Sequence, residues 1–225
     1  LPNKPTFINI LLFGVNDAGN IYTLYGDNWV QLPGALKHVT IGPAGVWGVN
    51  NNNNIYKLVG GSWQQTTGLL KQIDAGGDLF IAGVNMNDDI FSVSAPAALT
   101  VNQLPWVNIA GKLKYYSCGP LGCWGVNSAD DIYFRTEVTP DHSEGSNWQH
   151  IPGKLSMIEV GTDGSVYGVN SAGQIYRRDG IAKTNPVGTT WTQVVNFICK
   201  AKHVSHDQGL LWVISDDGRI MKCQI

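Results

Sequence analysis

The phrase Gly-Val-Asn occurs five times in this chain, at Gly14, Gly48, Gly83, Gly125 and Gly168, and seven and eight positions after each Gly come an Ile and an aromatic residue. A sixth, degenerate copy, LWVISDDGRIMK, keeps the spacing but puts Ser215 in the Asn slot. The copies are separated by 34, 35, 42, 43 and 45 residues. Self-similarity at such periods means one supersecondary unit per repeat, each burying its apolar faces against its neighbours. The slot before the Gly holds Phe13, Trp47, Ala82, Trp124, Tyr167 and Trp212, and the Asn slot holds Asn16, Asn50, Asn85, Asn127 and Asn170.

Each unit reads as four short strands: a Trp-led run (WVQLPG, WVNIAG, WQHIPG), a Leu-Lys run, the Gly-Val-Asn run and the Ile-aromatic run. Alternation of apolar and polar residues, with β-branched and aromatic types enriched, supports strands throughout, and no amphipathic helix is found. Five positions past the repeat Gly stand Gly19, Asn53, Asp88, Asp130, Gly173 and Gly218, residues that tolerate positive φ in a tight connection. The expectation is therefore all-β: a six-bladed β-propeller of four-stranded antiparallel blades, one domain over residues 1–225. With the Trp-led run opening each unit, the approximate blades are 1–28, 29–62, 63–105, 106–147, 148–190 and 191–225. No Trp-led run precedes the first copy, and LPNKPTFINI is too short for two ordinary strands, so the first blade is expected to be incomplete.

Charged residues make up 14% of the 225-residue chain and the net charge is −2, which gives no basis for binding nucleic acid or anionic membranes. No apolar run is long enough to insert into a membrane. The start, without Met or signal peptide, reads as a processed protein. Of the four cysteines, Cys118 and Cys123 bracket Gly-Pro-Leu-Gly between strand-like runs, where the preceding units place Ile41 and Val46 around Gly-Pro-Ala-Gly. A cross-hairpin disulfide is expected there, Cys199 and Cys223 then pair in the last repeat, and the even count suits secretion.

Aligned, the units give W-x-x-[LI]-x-G-x-L-K-x-[VI], then W-G-V-N-x-x-[DN]-x-I-Y. Over nearly the whole chain this resembles the tectonin repeat, and GALKHVTIGPAGVWGVN, LLKQIDAGG, AGVNMNDDI and GKLKYYSCGPLGCWGVNSADDIY resemble the fish-egg lectins most; the tachylectins are also similar. The resemblance implies a secreted lectin of eggs or plasma, without catalysis. Its implied ligands are N-acetylglucosamine-type glycans, including those of bacterial lipopolysaccharide or peptidoglycan, bound at several repeated sites in innate defence. A homo-oligomer is compatible with this. Ala82, Ser215 and the short first blade depart from the pattern.

A neutral sugar needs an apolar platform for its C–H faces and planar amides or carboxylates matched to adjacent hydroxyls. The candidate carbohydrate-binding residues are Trp47 with Asn50, Trp124 with Asn127, Tyr167 with Asn170, and Trp212. Second in rank are Gln31, Gln65, Asn108, His150 and Gln193, two positions after each Trp. The competing reading is structural: aromatics packed between blades, and Asn side chains bonded to nearby backbone. No cofactor is required. Calcium is the metal that Asn87 to Asp89 or Asp130 with Asp131 could accept, although turn chemistry already accounts for these residues. The five histidines are scattered, and neither Gly-x-Ser-x-Gly nor His-Glu-x-x-His occurs. A protein-binding propeller scaffold and, behind it, a propeller glycoside hydrolase remain as alternatives.

Overall fold

The computed structural model describes residues 12–194, 199–207 and 209–224. It is all-β apart from one 3-10 turn, Ala97–Leu99, and its strands form six small antiparallel sheets. The first sheet holds β1 (Phe13–Val15), β2 (Ile21–Tyr25) and β3 (Asn28–Leu32). The second holds β4 (His38–Gly42), β5 (Gly45–Val49), β6 (Asn54–Val59) and β7 (Ser62–Leu69). The third holds β8 (Gln72–Asp74), β9 (Ile81–Val84), β10 (Asp89–Val93) and β11 (Val107–Lys112). The fourth holds β12 (Tyr115–Gly119), β13 (Gly122–Val126), β14 (Asp131–Arg135) and β15 (Trp148–Lys154). The fifth holds β16 (Met157–Val160), β17 (Val166–Val169), β18 (Ile175–Arg178) and β19 (Trp191–Gln193), and the sixth holds β20 (Ala201–Asp207), β21 (Leu210–Ser215) and β22 (Ile220–Gln224).

The sheets are the blades of a six-bladed propeller whose first blade has three described strands. The first strands of successive blades, β4, β8, β12, β16 and β20, touch in order around the axis. The ring closes through aromatic rings: Trp212 of blade six meets Trp29 of blade one edge-on at 6.4 Å, as Trp124 of blade four meets Trp191 of blade five at 6.1 Å.

The phase of the unit differs from the sequence reading. The Trp-led run closes a sheet instead of opening one, so the blades span 13–32, 38–69, 72–112, 115–154, 157–193 and 201–224. Local chain geometry decides this. In blades one and two tight turns fold the Ile-aromatic strand back onto the Trp-led strand, pairing Tyr25 with Asn28 and Val59 with Ser62, and in blades three to five longer loops make the same return, whereas the chain after the Trp-led strand passes to the next blade.

The recurrent Gly-Val-Asn now has a cause for each letter. A Cβ on Gly48, Gly125 or Gly168 would lie 2.4, 2.4 and 2.5 Å from a δ-methyl of Leu36, Leu113 and Leu155, the leucines of the Leu-Lys runs. Gly is the residue that lets these leucines seat against the second strand. The Val is buried in the sheet face, and the Asn closes the following turn: Asn127 Oδ1 accepts from the backbone N–H groups of Ala129 and Asp131, both near 2.9 Å. The six predicted turn residues all have positive φ, between 64° and 84°. Beyond each turn Ile21, Ile55, Ile90, Ile132 and Ile175 are buried, each contributing about 1.5–3 kcal/mol of apolar transfer.

Cys118 and Cys123 form a disulfide at directly paired positions of β12 and β13. Cys199 and Cys223 are unbonded, which corrects their expected pairing: the Cys199 Sγ meets the Met221 Sδ at 3.6 Å, two residues along the strand from Cys223. Unfolded, unreduced protein is therefore expected to titrate two thiols. Four would remove the hairpin bridge, and none would restore the second pair.

Candidate functional site

The aromatic residues nominated from sequence face inward. Trp47 is fully buried, its indole N–H donating to the Ala44 carbonyl at 3.0 Å and the Lys57 ammonium 4.8 Å over its ring. Trp124 is wedged between Phe134 and Trp191, Tyr167 is buried against His206, and Trp212 is half-buried between Trp29 and the Lys222 ammonium. These rings join blades. The paired Asn residues are also committed: Asn50, Asn127 and Asn170 each spend Oδ1 on two backbone N–H groups of their turn. Their Nδ2 groups donate to Tyr56 Oη, Asp131 Oδ2 and Gln174 Oε1.

Exposed rings and amides come together between neighbouring blades. A groove of about 300 Å³ between blades four and five is bordered by Lys154 and Gly153 of β15, Asn170, Tyr176 of β18 and Trp191 of β19. Trp191 donates its indole N–H to the Pro152 carbonyl at 3.1 Å, fixing the ring across the blade boundary. The Arg178 guanidinium stacks 5.1 Å from it and is itself held by the Val187 carbonyl. Gly153, at φ 129°, is required here, because a Cβ would come 3.2 Å from the indole nitrogen. Tyr176 and Gln174 are joined at 3.4 Å beside the Asn170 amide, so apolar ring faces and planar amides share one groove.

The same construction recurs at two other boundaries. Trp148 donates to the Ala110 carbonyl at 2.6 Å and Trp106 to that of Thr67 at 2.9 Å. The second-ranked polar residues fall into register with the Ile-aromatic strands: Tyr22 opposite Gln31, Tyr56 opposite Gln65, Phe91 opposite Asn108, Tyr133 opposite His150, and Tyr176 opposite Gln193. Tyr133 and His150 stack edge-on at 5.3 Å. Tyr56, Tyr133 and Tyr176 were absent from the nominated set. The signal for them was alternation itself: each follows a buried Ile, so its ring faces the opposite side of the sheet, half-exposed.

Charge around the turns is locally neutralised. Lys71 pairs with Asp88 and Lys114 with Asp130, while Lys112 and Lys154 pair with Asp89 and Asp131. Hydrogen bonds from Lys154 and then Asn127 hold the Asp131 carboxyl below its ordinary range, and those from Lys112 and Asn85 do the same for Asp89. The carboxylates considered for calcium thus already bind ammonium groups.

Residues 10–216 match the Tectonin domain family. The chain belongs to the tectonin family. It is 50% identical over 154 residues to the fish-egg lectin of Cyprinus carpio, covering 67% of this chain and 65% of that protein. It is 35% identical over 75 residues to tectonin-2 of Physarum polycephalum, covering 32% of this chain and 19% of that protein. The matched segment thus spans less than two thirds of either relative. Among solved structures, human WBSCR16 superposes with a TM-score of 0.62 at 12% identity, covering 91% of this chain and 69% of that chain. YCF48 from Cyanidioschyzon merolae superposes with 0.60 at 14%, covering 93% and 78%. Those two likenesses concern the fold alone. Among the described residues of this tectonin protein, no helix is long and apolar enough to cross a membrane.

Proposed function

We propose that this tectonin propeller is a lectin that takes N-acetylglucosamine-type glycans into the grooves between blades, without catalysis. The observation that carries the reading is the groove of Trp191, Tyr176, Asn170 and Lys154, with its counterparts at the boundaries that Trp106 and Trp148 bridge. Ring faces suit the C–H surface of a pyranose and the N-acetyl methyl, and the amide row of Gln174 and Gln193 suits hydroxyls and the acetamido group. The carp relative is named a lectin, which favours the same reading. The residue after the Gly of the Trp-led run is Ala35, Leu69, Lys112 or Lys154, so some grooves carry an ammonium group and others an apolar side chain, and their specificities differ. Several weak sites on one rigid ring gain avidity on dense glycan arrays such as peptidoglycan or lipopolysaccharide, which is the property an innate-defence lectin needs. The Cys118–Cys123 bridge supports an extracellular site of action.

The test is calorimetric titration with N-acetylglucosamine beside glucose and galactose. Saturable heat for the acetamido sugar is expected, with a stoichiometry that counts working grooves. Tyr176→Ala is expected to weaken its own groove about 2- to 10-fold, the worth of one ring platform at roughly 0.5–1.5 kcal/mol. No heat with any of the sugars, or full binding in a Tyr133→Ala/Tyr176→Ala protein, would overturn the assignment.

A further inference from the structure

Five blades put one residue each at an equivalent position beside the axis, and blade six departs from the other four. Thr40, Asp74, Ser117, Glu159 and Ser205 pair with the slot before the repeat Gly, opposite Trp47, Ala82, Trp124, Tyr167 and Trp212. The residue that follows is Ile41, Ala75, Cys118, Val160 or His206. Four are apolar. The fifth is an imidazole that is only 7% exposed, a titratable group where the repeat otherwise uses none.

His206 sits at the joint between blades six and five. Its ring lies 4.7 Å from that of Tyr167, tilted by 32°, and a Cβ on Gly161 would come 2.6 Å from its carbonyl oxygen. The Ser165 hydroxyl stands 2.6 Å from both His206 Nδ1 and Asp163 Oδ1, and that carboxylate oxygen is 3.8 Å from Nδ1. With the Ser165 proton on Asp163, His206 donates from Nδ1 to Ser165 Oγ, and Nε2 is the atom that takes the next proton. Among the described residues, the titratable groups facing the ring are Asp163 and Tyr167 of blade five, whose phenol Arg177 also reaches, and Asp207 of its own strand, which accepts from the Thr162 hydroxyl. Burial outweighs the pull of the two carboxylates and holds the imidazole below its ordinary 6.5.

We propose that His206 is an acid-sensitive latch between blades five and six: neutral, it packs as the apolar residues do at the four equivalent positions, and protonated, it loosens the joint. A buried ring that resists its proton stabilises the fold fully above the ordinary imidazole range of about 6.5, and that contribution is lost as pH falls below it, because the unfolded chain takes up the proton first. The proton comes from solvent and adds to Nε2, which places a charge beside the Tyr167 face in a site closed to water. The strands that give way are β20, β21 and β22, which pack on blade five through this joint, so opening is local to blade six.

The experiment compares the unmutated protein with His206→Val, which installs a residue already used at the equivalent position of blade five, by urea midpoints from about pH 8 to about pH 5. The other histidines titrate in both proteins, so the difference between the two midpoints isolates this ring. Whatever its size at neutral pH, that difference is expected to move in favour of His206→Val as the solution is acidified. Amides of β20, β21 and β22 in the unmutated protein should exchange faster in mild acid than at neutral pH, after correction for intrinsic rates, and those of His206→Val should not. An NMR titration of the His206 ring in the unmutated protein, expected to have its midpoint below 6.5, keeps the test open even where the variant fails to fold. Parallel pH profiles, an imidazole midpoint at or above 6.5, or acid-enhanced exchange confined to another blade overturns the latch.

Discussion

Replacing Trp124 by alanine is expected to cost about 3–5 kcal/mol of stability, read as a lowered urea midpoint. The ring is 2% exposed and sits edge-on to Phe134 at 5.2 Å and to Trp191 at 6.1 Å, with the Arg178 guanidinium 6.0 Å away. Its removal empties the space between blades four and five and takes one of two aromatic partners from a buried cation. The neighbouring Trp191 then loses the surface that sets its tilt, so sugar affinity in that groove falls as a consequence of lost packing. A folded Trp124→Ala protein with unchanged stability and lost sugar binding would return Trp124 to the direct-contact set. Tyr176→Ala is the complementary case, because its half-exposed ring changes affinity with little effect on the midpoint.

The repeat was legible as a propeller because every slot obeys one local rule. The Ile is buried, the turn residue takes positive φ and the Gly admits a leucine, and all three rules can be written from sequence with the period. Two things were not legible. The phase of the unit depends on which connection stays within a sheet, and loop length does not tell: the link from the Ile-aromatic strand to the Trp-led strand is a tight turn in blades one and two but a long loop in blades three to five, so strand pairing in space decides. Which aromatics reach the surface was hidden for a related reason. An aromatic before Gly-Val-Asn and an aromatic after Ile look alike in a string, but β-strand alternation sends the first into the boundary between blades and leaves the second half-exposed. Trp124 and Tyr133 show the difference within one hairpin, paired strands apart yet on opposite terms with solvent. Contacts across the ring could not be seen at all: His38 and His203 are 165 positions apart, and their rings come to 6.5 Å because the ring closes.

A second glycine series carries the largest effect expected of any single substitution. Gly42, Gly76, Gly119 and Gly161 stand at or just past the ends of the axial strands, and each faces the next blade. A Cβ on Gly42 would lie 1.8 Å from the Ala75 carbonyl oxygen; on Gly76, 2.5 Å from that of Cys118; on Gly161, 2.6 Å from that of His206. In each case the obstruction is backbone fixed by its own sheet, so no rotamer can relieve it. Gly42→Ala must therefore push blade two from blade three, stretching the bond from the Ala75 N–H to Thr40 Oγ1, which is 3.3 Å long in the structure. The expected result is a loss above about 4 kcal/mol, or no folded protein, from a one-carbon change. Gly60→Ala is the control: its φ is 57°, but nothing lies within 4 Å of the added carbon, so it should cost only the left-handed backbone penalty of about 1–2 kcal/mol. Similar urea midpoints for the two variants would mean that the blades can separate freely at the axis. In that case the ring would be held at its rim, by the indole bonds of Trp106, Trp148 and Trp191, and not by contact of backbones around the channel.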